Sequence, residues 1–142
     1  MWDVHNGECL RTIILSNSPP LATGKFTRNS DFAMITSLNS RISLVDSKSC
    51  KVVREYSGYT NNEYLVDFDF TEDTRGDIDG FIIGSESGTI HRFSMLHDRP
   101  IDSVTVNDGD QTTDLMIVHG DCVYVSGRSW SSVHRVNYTP AA

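Results

Sequence analysis

The five histidines (His5, His91, His97, His119 and His134) are the side chains best suited to proton transfer or metal binding, and their spacing speaks against both. None stands at a zinc-ligand spacing from a cysteine or a carboxylate. His91 and His134 each precede an arginine in what read as equivalent strands, so a repeat accounts for them without chemistry. Gly84-Ser85-Glu86-Ser87-Gly88 has the outline of a nucleophile elbow, but Glu86 holds the nucleophile's place and the stretch reads as a hairpin turn. Asp73, Asp77 and Asp79 offer oxygen donors in one acidic loop, yet their spacing fits no calcium loop. Asn137-Tyr138-Thr139 is a glycosylation sequon, which matters only along a secretory route. Trp130, in Arg-Ser-Trp-Ser-Ser, falls at a turn, as a contact residue or as packing for a neighbouring loop. No catalytic residue, metal or cofactor is expected.

Composition narrows the class further. Hydrophobic residues make up 38% of the 142 and charged residues 22%. No stretch approaches the ~20 apolar residues of a membrane-spanning helix, and the first residues have neither a basic nor an apolar leader segment. Cys9, Cys50 and Cys122 are odd in number and widely spaced, which suits reduced thiols in a cytosolic or nuclear protein. The net charge of −7 is uneven: residues 1–56 carry 7 basic and 5 acidic side chains, residues 57–142 carry 5 and 14. An acidic surface repels phosphate backbones, so no direct nucleic-acid binding is expected. It suits a basic partner such as a histone tail, or serves solubility alone.

The elements that must position these residues are strands. Short β-branched and aromatic runs recur every 8–12 residues between turn clusters, with little helical periodicity. Strands are predicted near 9–15, 21–27, 32–37, 41–46, 51–56, 64–70, 80–85, 89–95, 100–106, 112–118, 121–126 and 132–138. A closing pair recurs at Trp2-Asp3, Val45-Asp46, Phe93-Ser94 and Val136-Asn137, with gaps of 43, 48 and 43 residues. A short polar turn and an outer strand follow the first three pairs. The acidic loop 72–80 accounts for the longer middle gap. A fixed period of this length selects repeated four-stranded units over a simple sandwich or barrel.

At these residues the chain resembles a WD-repeat β-propeller, whose repeats run ~40–45 residues. Trp2-Asp3 keeps the full pair, and the repeat-opening Gly-His appears as Gly58-Tyr59. Within that family it is most similar to the C-terminal blades of the WD-repeat subunit of COMPASS-type histone lysine methyltransferase complexes. The likeness rests on Gly7-Glu8-Cys9-Leu10-Arg11-Thr12-Ile13, Ser18-Pro19-Pro20-Leu21, Lys25-Phe26-Thr27-Arg28-Asn29-Ser30 and Tyr56-Ser57-Gly58-Tyr59-Thr60-Asn61-Asn62-Glu63-Tyr64. The resemblance implies an all-β partial propeller of about three blades, the C-terminal half of a seven-bladed one. Residues 1–15 would end one blade, 16–57 and 58–106 would be two more, and 107–142 a last blade lacking its outer strand. The missing half, or an oligomer, would then cover the open edge.

Two binding surfaces are implied by the resemblance. A channel-mouth peptide site falls on Tyr64 and Asp67, where the family's stacking phenylalanine is replaced by an aspartate that pairs with arginine by charge but cannot stack. A cleft between two blades falls on Asn29, Phe32, Leu44, Arg54 and Phe70. There Asn29 would bond a partner's backbone, the apolar three would form a floor, and Arg54 would meet an acidic side chain. Leu44 and Phe70 equally suit blade core. Glu72 follows that cleft and repels an acidic partner. The expected function is a non-catalytic scaffold in a nuclear (and cytoplasmic) histone methyltransferase complex, holding its protein subunits and a histone tail. The alternatives are an adaptor for ubiquitin ligation or trafficking, a hydrolytic propeller with charges around its channel, and a degenerate paralogue that binds nothing.

Overall fold

Short alternating runs between turn residues become strands of antiparallel meanders. The structure is a computed structural model and describes residues 1–106, 113–119, 122–127 and 134–137. The first sheet runs β1 (Leu21–Phe26), β2 (Phe32–Ser37), β3 (Arg41–Asp46) and β4 (Val52–Tyr56) in that spatial order. The second repeats it with β5 (Phe68–Glu72), β6 (Ile78–Ile83), β7 (Thr89–Ser94) and β8 (Asp102–Thr105). In a third sheet β10 (Cys122–Gly127) pairs with both β9 (Thr113–His119) and β11 (His134–Asn137). No helix occurs among the described residues. The described residues are all-β, and the repeated four-stranded meanders are consistent with the blades of a partial WD-repeat propeller.

The cores lie between blades, because each central strand buries both of its faces. Met34, Ile42, Leu44 and Tyr56 of the first blade pack on Phe68, Phe81, Ile83 and Phe93 of the second, with Tyr59 and Val66 of the connecting segment. Phe81 stacks on Phe93 with ring centroids 4.8 Å apart, and Tyr56 stands edge-on to Phe81 at 5.0 Å. The opposite face of the second blade sends Ile82 and Ile90 against Val123 and Val125 of the third. A glycine is required at position 80, where an added Cβ would stand 2.1 Å from the Phe93 carbonyl oxygen of the paired strand.

The closing pairs of the repeat have a physical role. Asp46 Oδ1 accepts the amides of Lys48 and Ser49, and those bonds with the Lys48 ammonium hold its carboxyl below the usual range. Asp3 does the same for the His5 amide, and the Ser94 hydroxyl accepts the Leu96 amide. Asp46 and Ser94 cap the turn after a third strand and Asp3 the turn after the Trp2 bridge, which a serine does as an aspartate does. The two aspartate turns share their closing backbone bond: Gly7 donates to the Asp3 carbonyl as Cys50 donates to that of Asp46, and both have positive φ.

Three predicted elements differ. Residues 9–15 form no strand; only an isolated Trp2–Cys9 bridge marks where the outer strand would pair. Residues 1–8 close the turn but give that run no longer strand to ladder with. The strand expected at 64–70 begins at Phe68 and continues to Glu72, because the amides of residues 62–64 are drawn to a side chain instead of a ladder. The loop expected over 72–80 is consequently a tight turn between Glu72 and Ile78.

Candidate functional site

The seam between the first two blades carries two clusters of polar groups. At the inner strands, β1 sends Lys25 across to β5. Its Nζ lies 3.2 Å from Asp67 Oδ1 and 3.7 Å from Asp69 Oδ1, donates to the Phe68 carbonyl, and stands 5.3 Å from the Phe68 ring centre. Nearby, Glu86 Oε1 accepts three successive amides, those of Asn62, Glu63 and Tyr64, at 2.8, 2.7 and 2.9 Å. Partial burial pushes the Glu86 carboxyl up, but the three N–H groups outweigh it and hold it below the usual range. Successive amides pointing one way form an anion-binding nest, and here the nest is filled by the chain's own carboxylate. Tyr64 and Asp67 thus sit in a segment tied at one end by Glu86 and at the other by Lys25. An arginine approaching Asp67 meets a lysine already paired there.

On the same seam, the β1–β2 turn faces the β5–β6 turn across a cavity of about 460 Å³ lined by Thr27, Arg28, Asn29, Phe32, Gly76, Asp77, Ile78 and Met95. Phe32 and Met95 are half-buried, pack down on the seam core and form an apolar floor, with the half-buried Phe70 beside them. The Asn29 carboxamide holds its own turn: Oδ1 accepts the Thr27 hydroxyl at 2.8 Å and the Asp31 amide at 3.2 Å, while Nδ2 donates to Asp31 Oδ2 at 2.8 Å. Opposite, the chain turns between Asp73 and Asp77, with Gly76 at φ +82. Asp73 Oδ1 accepts the amides of Arg75 and Asp77, and these bonds with the Arg75 guanidinium hold its carboxyl below the usual range. The Asp77 carboxylate makes no such bond. It reaches only 3.9 Å from Arg75 Nε and is 78% exposed. Arg28 and Glu72 bridge the two walls at 2.7 Å.

Of the residues assigned to the cleft from sequence, Asn29 and Phe32 line it and Phe70 packs beside it. Leu44 is 7% exposed and belongs to the core. Arg54 lies outside the lining and donates to the Leu96 carbonyl at 2.7 Å, clipping β4 to the segment that carries Met95. Lys25, Ile78 and Met95 carry no signal as site residues in the sequence, because each meets the facing blade across 40 to 70 residues, and Asp77 and Glu86 stand out there only as a loop carboxylate and a turn residue. Only the acidic run 72–79 hinted at one wall.

The other chemical candidates are structural where they are described. Ser85 is 1% exposed and exchanges bonds with the Thr60 backbone across the seam. His91, whose imidazole is held below its usual pKa by burial, meets the Ser103 hydroxyl at 2.8 Å on the neighbouring strand. Asp79 accepts the Thr71 hydroxyl at 2.5 Å and faces Arg92 at 3.7 Å. Among the described residues no group of three or more histidines, cysteines or carboxylates is placed to hold a metal. Trp130, Tyr138 and Thr139, with the side chains of His119, His134 and Asn137, lie outside the described residues. A larger cavity, about 550 Å³, separates residues 1–13 from the outer face of the first blade and is lined mainly by Trp2, Phe26, Ile35 and Val45.

No family model matches the chain. An uncharacterized WD repeat-containing protein of Schizosaccharomyces pombe is 30% identical to it over 98 residues, which is 69% of this chain and 32% of that protein. The chain therefore aligns with about a third of the length of the curated relative it matches. The likeness supports the WD-repeat family alongside the repeated blades. That protein's name carries neither activity nor partner.

Proposed function

We propose, from the premise that the chain is part of a WD-repeat propeller, that it serves as a protein-interaction scaffold that holds a partner segment in the cleft between its first two blades. WD-repeat proteins generally act as non-catalytic scaffolds for protein partners. The observation that carries the reading is the cleft itself. Phe32 and Met95 present a half-buried apolar floor between two turns, with Phe70 packed beside it, the setting in which a partner's anchor side chain gains most from burial. The finer reading is membership of a nuclear COMPASS-type histone methyltransferase complex, with its subunits and a histone tail as partners. It rests on the resemblance of residues 7–64 alone.

Affinity purification of the tagged protein from nuclei tests both levels. Recovery of a SET-domain subunit, lost on Met95→Ala, supports scaffold and complex together. Recovery of other partners with the same sensitivity keeps the scaffold and removes the complex. Partners indifferent to Met95→Ala remove the cleft as the docking site.

A further inference from the structure

The two walls of the cleft are unequal in charge, and the inequality specifies what it accepts. Residues 69–79, which build the β5–β6 wall, carry five carboxylates (Asp69, Glu72, Asp73, Asp77, Asp79) against one cation, Arg75. Most are spent within the fold: Asp69 on Lys25, Glu72 on Arg28, Asp73 on its own turn, Asp79 on Thr71 and Arg92. Asp77 is the lining carboxylate that remains largely in solvent, beside Ile78 and above the apolar floor. Among the described residues the cation in the lining is Arg28, and it is held by Glu72 at 2.7 Å, so these residues offer an incoming acidic group no uncommitted positive charge. An acidic segment would also face the exposed carboxylate of Asp77.

We infer that the cleft binds a basic-hydrophobic peptide segment, with one apolar side chain on Phe32 and Met95 and a lysine or arginine beside it on Asp77. This rests on the scaffold reading and deepens it by reversing the sign expected from the family likeness. The apolar anchor supplies most of the affinity. The cation supplies selectivity, because a rim pair in solvent adds little affinity while a like charge there is repelled.

The experiment is selection of a displayed library of random nine-residue peptides on the full chain, followed by anisotropy titration of the enriched peptides against the parent, Asp77→Lys and Met95→Ala. Both variants must first melt as the parent does. The expected enrichment is an aliphatic or aromatic residue within three positions of a lysine or arginine. Binding should weaken about fivefold to tenfold in Asp77→Lys, weaken in Met95→Ala, and fall as salt rises from about 50 to 300 mM. Enriched peptides that are acidic, or that lose affinity in Met95→Ala but not in Asp77→Lys, overturn the inference and leave the docking cleft standing. If no peptide is enriched, or the enriched peptides are indifferent to both variants, the cleft reading fails and the inference fails with it.

Discussion

The two clusters on the seam are built from similar residues and do opposite things. At the inner strands, Asp67, Asp69 and Glu86 are each answered from within the chain, by Lys25 or by backbone amides. Their charge is converted into rigidity. At the cleft the turn is fixed by backbone bonds and by Asp73, and Asp77 is left facing solvent above apolar side chains. Negative charge therefore marks a binding surface only where the fold has not used it. Counting carboxylates along the sequence cannot separate the two cases; finding their partners does.

The largest effect should come from the core that both clusters share. Phe81 is fully buried, stacked on Phe93 and edged by Tyr56 and Phe68. Truncation in Phe81→Ala should cost ~3–5 kcal/mol, read by denaturant unfolding, and should loosen the inner cluster and the cleft alike. A cost below ~1 kcal/mol would mean that the blades do not depend on this seam.

Glu86 should matter next. Glu86→Ala leaves three amides of the 62–64 segment without their acceptor, for a loss of about 1–2 kcal/mol near neutral pH after allowance for partial exposure. Since the folded carboxyl titrates below its ordinary value of 4.5, its contribution is present above that pH and lost as pH falls through the lower folded value. The gap between parent and variant should therefore close as the pH is taken below 4.5 and through the lower folded value. A gap that is flat with pH would remove the carboxylate from the account. Lys25→Met should follow at ~1 kcal/mol or less, because its ion pairs are partly solvated. It should leave peptide binding at the cleft unchanged, and a binding defect of the same size as that of Asp77→Lys would erase the division between the clusters.

How much of this was legible beforehand depended on distance along the chain. The runs FAMITS and RISLVD announced β2 and β3 through their apolar content and the Asn39-Ser40 turn. The recurring closing pairs announced the blades, and the capping bonds of Asp3, Asp46 and Ser94 explain why that position tolerates either residue type. Glu86 was read as a turn residue, which it is, but its task lies 22 to 24 residues away at amides that no local pattern names. Lys25 and Asp67 are separated by 42 residues, so their pairing follows from blade packing alone. The run CLRTIIL has good strand propensity and still forms no strand, since a ladder needs a partner as much as a propensity.

The smallest effect is the most discriminating. Asp73 and Asp77 flank the same turn, yet only Asp73 folds it, with Oδ1 on two amides. Asp73→Ala should lower the melting temperature measurably, in the manner of a lost capping residue. Asp77→Lys should change stability by less than ~0.5 kcal/mol, because the Asp77 backbone keeps its bonds to Asp73 whatever side chain it carries. The same variant is the one expected to weaken peptide binding, so thermal melts and titrations on these two substitutions should move in opposite order. Were Asp77→Lys as destabilising as Asp73→Ala, its carboxylate would belong with the inner cluster as a structural charge, and the contrast between the two ends of the seam would collapse.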